Sequence, residues 1–165
     1  MPEKQTVERA KKAKRKGKSA STQSGEFVRE EMHHIREGKH GAQSTKQAIA
    51  IGLSKARRAG VALPPPEKGR VSEKTRRSAA RAYSMGQRGK PKPSRRRSQA
   101  RERVLKREGR GAASRKELAR QARSAARRRT RAARSASARR AVRTKGRRGR
   151  STAARKAART RARRR

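Results

Sequence analysis

Residues Ser44–Gly60, STKQAIAIGLSKARRAG, decide how the rest of this chain is read. Placed on a wheel at about 100° per residue, Ala48, Ile49, Gly52, Leu53, Ala56 and Ala59 share one arc of about 140°. Lys46, Gln47, Ser54, Arg57 and Arg58 fall opposite. Ser44 or Thr45 supplies an N-cap oxygen, Arg57 and Arg58 suit the negative end of the helix dipole, and Gly60 suits the position after the C-cap. Pro64-Pro65-Pro66 forbids continuation. Both ends of a helix over about 45–59 are therefore signalled. Ile51 departs from the pattern by landing among the polar positions, either exposed or in contact with a second partner surface.

Upstream, Glu26–Glu37 (EFVREEMHHIRE) predicts a first helix over about 26–37, with Ser24 as its N-cap. Val28, Met32 and Ile35 are spaced i, i+4, i+7, and Phe27 flanks them. Gly38 and Gly41 bracket a turn. The expected fold is mostly α, a small amphipathic αα-hairpin in which Val28, Met32 and Ile35 pack on Ile49, Leu53 and Ala56. A hairpin of about 35 residues is below the size at which one core suffices. Self-association, a protein partner or nucleic acid is expected to complete it.

GEFVREEMHHIREGKHG followed by STKQAIAIGLSKARRAG resembles a small helical domain of unknown function found chiefly in proteobacteria. The likeness rests on the run Lys46–Ile51 and on the preceding Met32-His33 pair, and covers residues 25–66. It implies a bacterial source and brings no activity and no assigned catalytic residues. In that family the domain often sits beside basic low-complexity tails.

Composition bounds the remainder. Isoleucine, leucine, valine and phenylalanine number only 14 of 165 residues, with one tyrosine and no tryptophan. That is below the roughly 20% under which a highly charged chain is expected to be disordered. Lysine and arginine number 55 against 11 acids, all glutamate, for a net charge of +44. A polyanion is the expected partner, nucleic acid above all, and DNA in preference to RNA. Such a chain could neutralise on the order of 20 base pairs of duplex. The absence of cysteine excludes disulfides and thiolate metal sites. No apolar run approaches a membrane span, and the N-terminus lacks an apolar signal core. A cytoplasmic, nucleoid-associated protein is the expectation.

Charge also divides the chain. Residues 1–21 read as a disordered basic arm whose Lys11, Lys12, Lys14, Arg15 and Lys16 would contact phosphates. Residues 22–62 are nearly balanced, with seven basic residues, four glutamates and all three histidines. Residues 63–71 read as a stiff proline-rich linker, and 72–165 as a largely disordered, helix-prone basic tail. Within the tail, Ser72 caps a predicted helix over 73–85 closed by Gly86. A second runs from 95 to 108, and Ser114 with Glu117 forms a capping box before a third. Residues 90–165 hold 33 basic residues against three glutamates, and none of those acids lies beyond Leu118. Their alanine–arginine composition resembles linker-histone tails and bacterial histone-like basic proteins. Guanidinium forks bind phosphate bidentately, so the phosphate-binding candidates are Arg95, Arg96, Arg97, Arg127, Arg128, Arg129, Arg139, Arg140, Arg147, Arg148, Arg150, Arg163, Arg164 and Arg165. Lys145–Arg150 (KGRRGR) resembles an AT-hook faintly, without its flanking prolines, and reads as a plain phosphate-binding run.

No catalytic constellation stands out. There is no aspartate, no Ser-His-acid arrangement and no phosphate loop. His33 and Glu37 have i, i+4 spacing, but His33 and His34 point about 100° apart on a helix and no second ligand cluster exists. The histidines read as polar-face residues paired with glutamates; no metal, cofactor, membrane or small-molecule substrate is expected. Non-specific DNA coating and compaction is the functional expectation. The alternative is a protein-interaction hairpin that the basic tail anchors to RNA or a ribosomal particle. Aromatics interleaved with basic residues, which RNA readers use, are missing.

Overall fold

The structure is a computed structural model that describes residues 2–89 and 94–163. Among these, seven α-helices and one 3₁₀ turn (Gly111–Ala113) occur and no strand. The helices are α1 (Lys4–Arg15), α2 (Ala20–Arg36), α3 (Thr45–Arg58), α4 (Glu73–Gln87), α5 (Arg95–Lys106), α6 (Arg115–Arg127) and α7 (Arg131–Ala162). The chain divides into two compact units, Met1–Gln121 and Ala122–Arg165.

In the first unit α2 is central, packing on α1 and α3, while α3 also carries α4. The pair α2–α3 runs antiparallel. Phe27 and Val28 oppose Gly52 and Ala56, and Met32 and Ile35 oppose Ala48 and Ile49. Ser44 caps α3 by accepting from the Gln47 amide at 3.2 Å, and Gly60 follows the C-cap Ala59 at φ +87°. That conformation is available to glycine without a Cβ penalty.

The apolar residues form two small clusters. One holds Met32, Ile35, Ala42, Ala48, Ala112 and Ala113, with Val28, Ile49 and Leu118 packed against it. The other holds Ala10, Phe27, Ala56 and Val61, with Val7, Ala20, Ala59 and Leu63 alongside. Of the six residues expected to form the hairpin core, Met32, Ile35 and Ala56 are buried, whereas Val28, Ile49 and Leu53 are half-buried. Ile51 is half-buried too. With side chains this small, each burial contributes little; Phe27 and Ile35, fully enclosed, stabilise most, at about 1.5–3 kcal/mol each. Close backbone approach substitutes for bulk. A Cβ on Gly52 would lie 2.7 Å from Val28 Cα, and Gly86 of α4 lies against the Arg57 carbonyl in the same way.

Several expectations are corrected. The first helix begins at Ala20 and not Glu26, because Ser19 is the cap, accepting from the Thr22 amide at 3.4 Å. Ser24 is instead buried mid-helix, its hydroxyl donating to the Ala20 carbonyl at 2.7 Å. The arm over 1–21, expected to be disordered, contains α1. Thr6 and Ala10 are its buried positions, and Arg9 pairs with Glu26 of α2 at 3.1 Å. Alternating helix formers with an i, i+3 pair, Val7 and Ala10, suffice once Phe27 offers a surface. The stiff Pro-rich stretch is anchored at its start: buried Arg57 donates to the carbonyls of Leu63 (3.1 Å) and Pro64 (3.2 Å), tying it to α3. Gly86 does not close α4, which runs through it to Gln87; its role is close approach.

The largest correction concerns where the first unit ends. The region assigned to the tail folds back onto the hairpin. Gly41 donates its amide to Leu105 at 2.8 Å and Ala42 to Gly109 at 3.1 Å. Thr45 Oγ1 donates to Ala112 at 2.6 Å, and Arg36 Nε to Ala113 at 3.0 Å. Ala112 and Ala113 then close the first apolar cluster. The hairpin's missing wall is therefore supplied by its own chain.

Candidate nucleic-acid interface

The second unit is built from alanine and arginine, both strong helix formers. Thr130 caps α7 by accepting from the Ala133 amide at 3.2 Å, and a kink at Gly146 (φ +62°) divides the helix. Almost every described side chain of α7 is exposed, and its basic residues lie on all sides of the axis. A helix polar all round gains nothing from a core. Between Arg131 and Ala162 it carries 13 basic residues and no acid. At 1.5 Å rise per residue that is one positive charge per about 3.7 Å of axis. A DNA strand carries one phosphate per about 3.4 Å. Summed over all sides of the helix, its linear charge density is thus close to that of one DNA strand.

Elsewhere most acids have a basic partner. Glu8 pairs with Lys11 (3.0 Å), Glu67 with Arg70 (2.8 Å), Glu73 with Arg76 (2.7 Å), Glu102 with Lys106 (2.9 Å) and Glu117 with Arg120 (3.2 Å). The hydrogen bond from Arg76 holds the Glu73 carboxyl below its ordinary value. All such pairs lie before Gln121, so the 20 basic residues of 122–165 have no acid within their own unit.

The named candidates divide accordingly. Lys12, Lys14 and Arg15 are exposed on the last turn of α1 and Lys16 at its C-cap, where cations suit the helix dipole, and Lys11 is exposed one residue earlier. Arg95, Arg96 and Arg97 are exposed on the first turn of α5. Arg127, Arg128 and Arg129 are exposed at the α6–α7 junction. Arg139 and Arg140 precede the kink, whereas Arg147, Arg148 and Arg150 follow it; Arg163 is the C-cap. Arg164 and Arg165 lie outside the described residues. Around Lys145–Arg150 the backbone is helical on both sides of Gly146, which is not the extended ribbon of a minor-groove reader. The sequence reading picked out runs of adjacent arginines and so missed Arg131, Arg134, Arg143, Arg155, Lys156, Arg159 and Arg161, which are equally exposed. Their shared signal, basic residues at mixed spacings among alanines, was visible in the sequence.

Two further observations bear on chemistry. Phe27 is fully buried and Tyr83 half-buried on α4, so neither phenyl ring is fully exposed to a base. Glu31, His34 and His40 come together, one ligand atom from each lying within 4.8 Å of the others; His33 is not part of the group. In sequence all three histidines lie near Glu30, Glu31 and Glu37, with only His33–Glu37 singled out by spacing; the structure instead joins the i, i+3 pair Glu31–His34 to His40. Among the described residues no helix is long and apolar enough to cross a membrane. Comparison with known proteins finds no matching family model, no matching curated protein and no matching solved structure.

Proposed function

We propose that this protein binds nucleic acid without sequence specificity, coating and compacting duplex DNA as a histone-like, nucleoid-associated factor. The observation that carries this reading is the all-round, acid-free charge of α7, whose density along the helix is close to that of one DNA strand. Charge on every side lets one helix meet phosphates of two strands or two duplexes, which favours bridging. The burial of Phe27 and half-burial of Tyr83 argue against base stacking by a phenyl ring and favour phosphate contact as the source of affinity. Repulsion between neighbouring arginines opposes helix in the free second unit, and neutralisation by phosphate relieves it. Binding and helix formation in α7 are therefore coupled. The first unit, completed by its own residues 105–113, serves as a folded body that carries the polycation.

The test is a salt-titrated comparison of the full chain with a 1–121 truncation on duplex DNA and structured RNA. If about ten phosphates are neutralised, the log–log slope of affinity against salt is near −9 for the full chain. The truncation loses most of that slope and affinity, and far-UV circular dichroism of the full chain gains helix on DNA addition. Tight, salt-steep duplex binding by the truncation would place the interface in the first unit. Strong preference for structured RNA would replace DNA coating with RNA anchoring.

A further inference from the structure

Glu31, His34 and His40 form a group that the nucleic-acid reading leaves unused. Glu31 and His34 stand one turn apart on α2, on the same face. Gly38, at φ +77°, turns the chain back after α2 so that His40 returns to them. The two imidazole rings meet edge to face, with centroids 6.0 Å apart and planes at 87°.

The carboxylate is the unusual member. Glu31 has no exposed side-chain surface, and neither of its oxygens accepts a hydrogen bond. Lys55 Nζ lies 2.7 Å from Oε2, off the direction a hydrogen bond needs, and is shared with Glu30 at 3.4 Å. Glu30 is itself 4% exposed. Two buried carboxylates thus share one ammonium; Glu30 also accepts the Glu3 amide at 3.2 Å, whereas Glu31 accepts no hydrogen bond, and a buried charge so placed is costly.

The histidines face that deficit with the right atoms. His40 Nδ1 lies 3.1 Å from the Gly41 carbonyl, an acceptor only, so Nδ1 carries the proton. In the neutral ring Nε2 is then a lone pair, set 3.4 Å from Glu31 Oε1. At that separation either a proton or a bound metal ion can sit between the nitrogen and the carboxylate oxygen. His34 Nε2 lies 2.8 Å from Glu3 Oε1; donating there leaves its Nδ1 unprotonated. Metal-binding histidines hold their second nitrogen against a carbonyl or a carboxylate in this manner. Tetrahedral zinc with ligands at about 2.0–2.1 Å separates ligand atoms by about 3.3 Å, which the Glu31–His40 pair already matches.

We propose that Glu31, His34 and His40 bind one divalent transition-metal ion of the zinc class, with water completing the coordination. Two imidazoles and one carboxylate suit zinc, cobalt or nickel in preference to magnesium or calcium. The ion neutralises the buried Glu31 and clips the 37–44 loop to α2. Through the His34–Glu3 bond it also steadies the start of α1. This site is independent of the polycationic second unit.

The test uses the full chain, freed of nucleic acid and treated with chelator, titrated with Co²⁺ and followed by visible absorption, with Zn²⁺ as competitor. One equivalent is expected to bind with d–d bands of a low-coordinate site, and Zn²⁺ displaces it. His34→Ala and His40→Ala each lower affinity at least tenfold, while His33→Ala, at an exposed position outside the group, leaves it unchanged. Zinc raises the melting temperature of the unaltered chain and of His33→Ala alone. Absence of saturable one-equivalent binding in the unaltered chain overturns the proposal without recourse to variants. So does an equal loss in His33→Ala, which would mean scattered histidine binding. Should His34→Ala or His40→Ala lose helix content, the unaltered chain's stoichiometry and the His33→Ala comparison decide.

Discussion

Replacing Gly52 by alanine separates two accounts of why α3 is stable. Helix propensity alone makes Gly→Ala in a helix interior stabilising by about 1 kcal/mol. The structure predicts the opposite sign. The added Cβ would meet Val28 Cα at 2.7 Å, Val28 N at 3.0 Å and the Phe27 carbonyl at 3.1 Å, all backbone atoms of α2. None can rotate away, so α2 and α3 must part by somewhat under 1 Å. A gap of that size forfeits about a quarter to a half of each facing dispersion contact, and overpacking of this kind costs about 1–3 kcal/mol. Both apolar clusters straddle this contact, which places Gly52→Ala toward the upper end, at about 2–3 kcal/mol. Subtracting the propensity gain leaves a net destabilisation of about 1–2 kcal/mol, or a melting-temperature drop of about 4–8 °C for a unit of this size. Gly25 is the internal control, being mid-helix in α2 with open space where its Cβ would lie. Gly25→Ala gains up to about 1 kcal/mol. Tyr83, the sole tyrosine, sits on α4, so its fluorescence during urea or thermal unfolding reports the first unit without signal from α7. A Gly52→Ala protein as stable as the original, or more so, refutes close helix approach as the basis of the fold.

Two other outcomes follow from described contacts. Arg57→Met keeps the buried stem but removes the donors to Leu63 and Pro64; stability falls by about 1–2 kcal/mol, and limited proteolysis cuts faster around residues 61–66. The hydrogen bond from His34 holds the Glu3 carboxyl below its ordinary value. Its contribution is present above the unfolded carboxylate pKa, about 4.3, and is lost as pH falls through the lower folded value. The protection of α1 amides, measured relative to their intrinsic exchange rates, should therefore fall on acidification below about pH 4, and Glu3→Gln should show the lower protection already at neutral pH.

Local chemistry was the legible part of this chain. Ser44, Ser72, Ser114 and Gly60 act within one turn of their own position, and in sequence they mark the same helix ends at which the structure uses them. Long-range closure was not legible. Ala112 and Ala113 are alanines among many, and nothing in their neighbours distinguishes them from exposed Ala132 or Ala154; only the fold-back makes them core. Gly86 misled for a related reason, because a glycine that ends a helix and one that admits another backbone look alike in sequence. The cluster at Glu31 fell between these cases. Its i, i+3 half was readable, but His40 joins only through the turn at Gly38.

The fold-back also imposes a schedule on synthesis. Roughly 55 residues separate Arg58, the end of α3, from Ala113, the last piece of the first apolar cluster. At about 5–20 residues per second the ribosome needs about 3–11 s to make them. Throughout that interval the helices carrying Met32, Ile35 and Ala48 exist without the wall that covers them. A newborn chain therefore passes through a period of open apolar surface, and synonymous changes that slow translation between codons 59 and 113 lengthen it while leaving every contact in the finished protein the same.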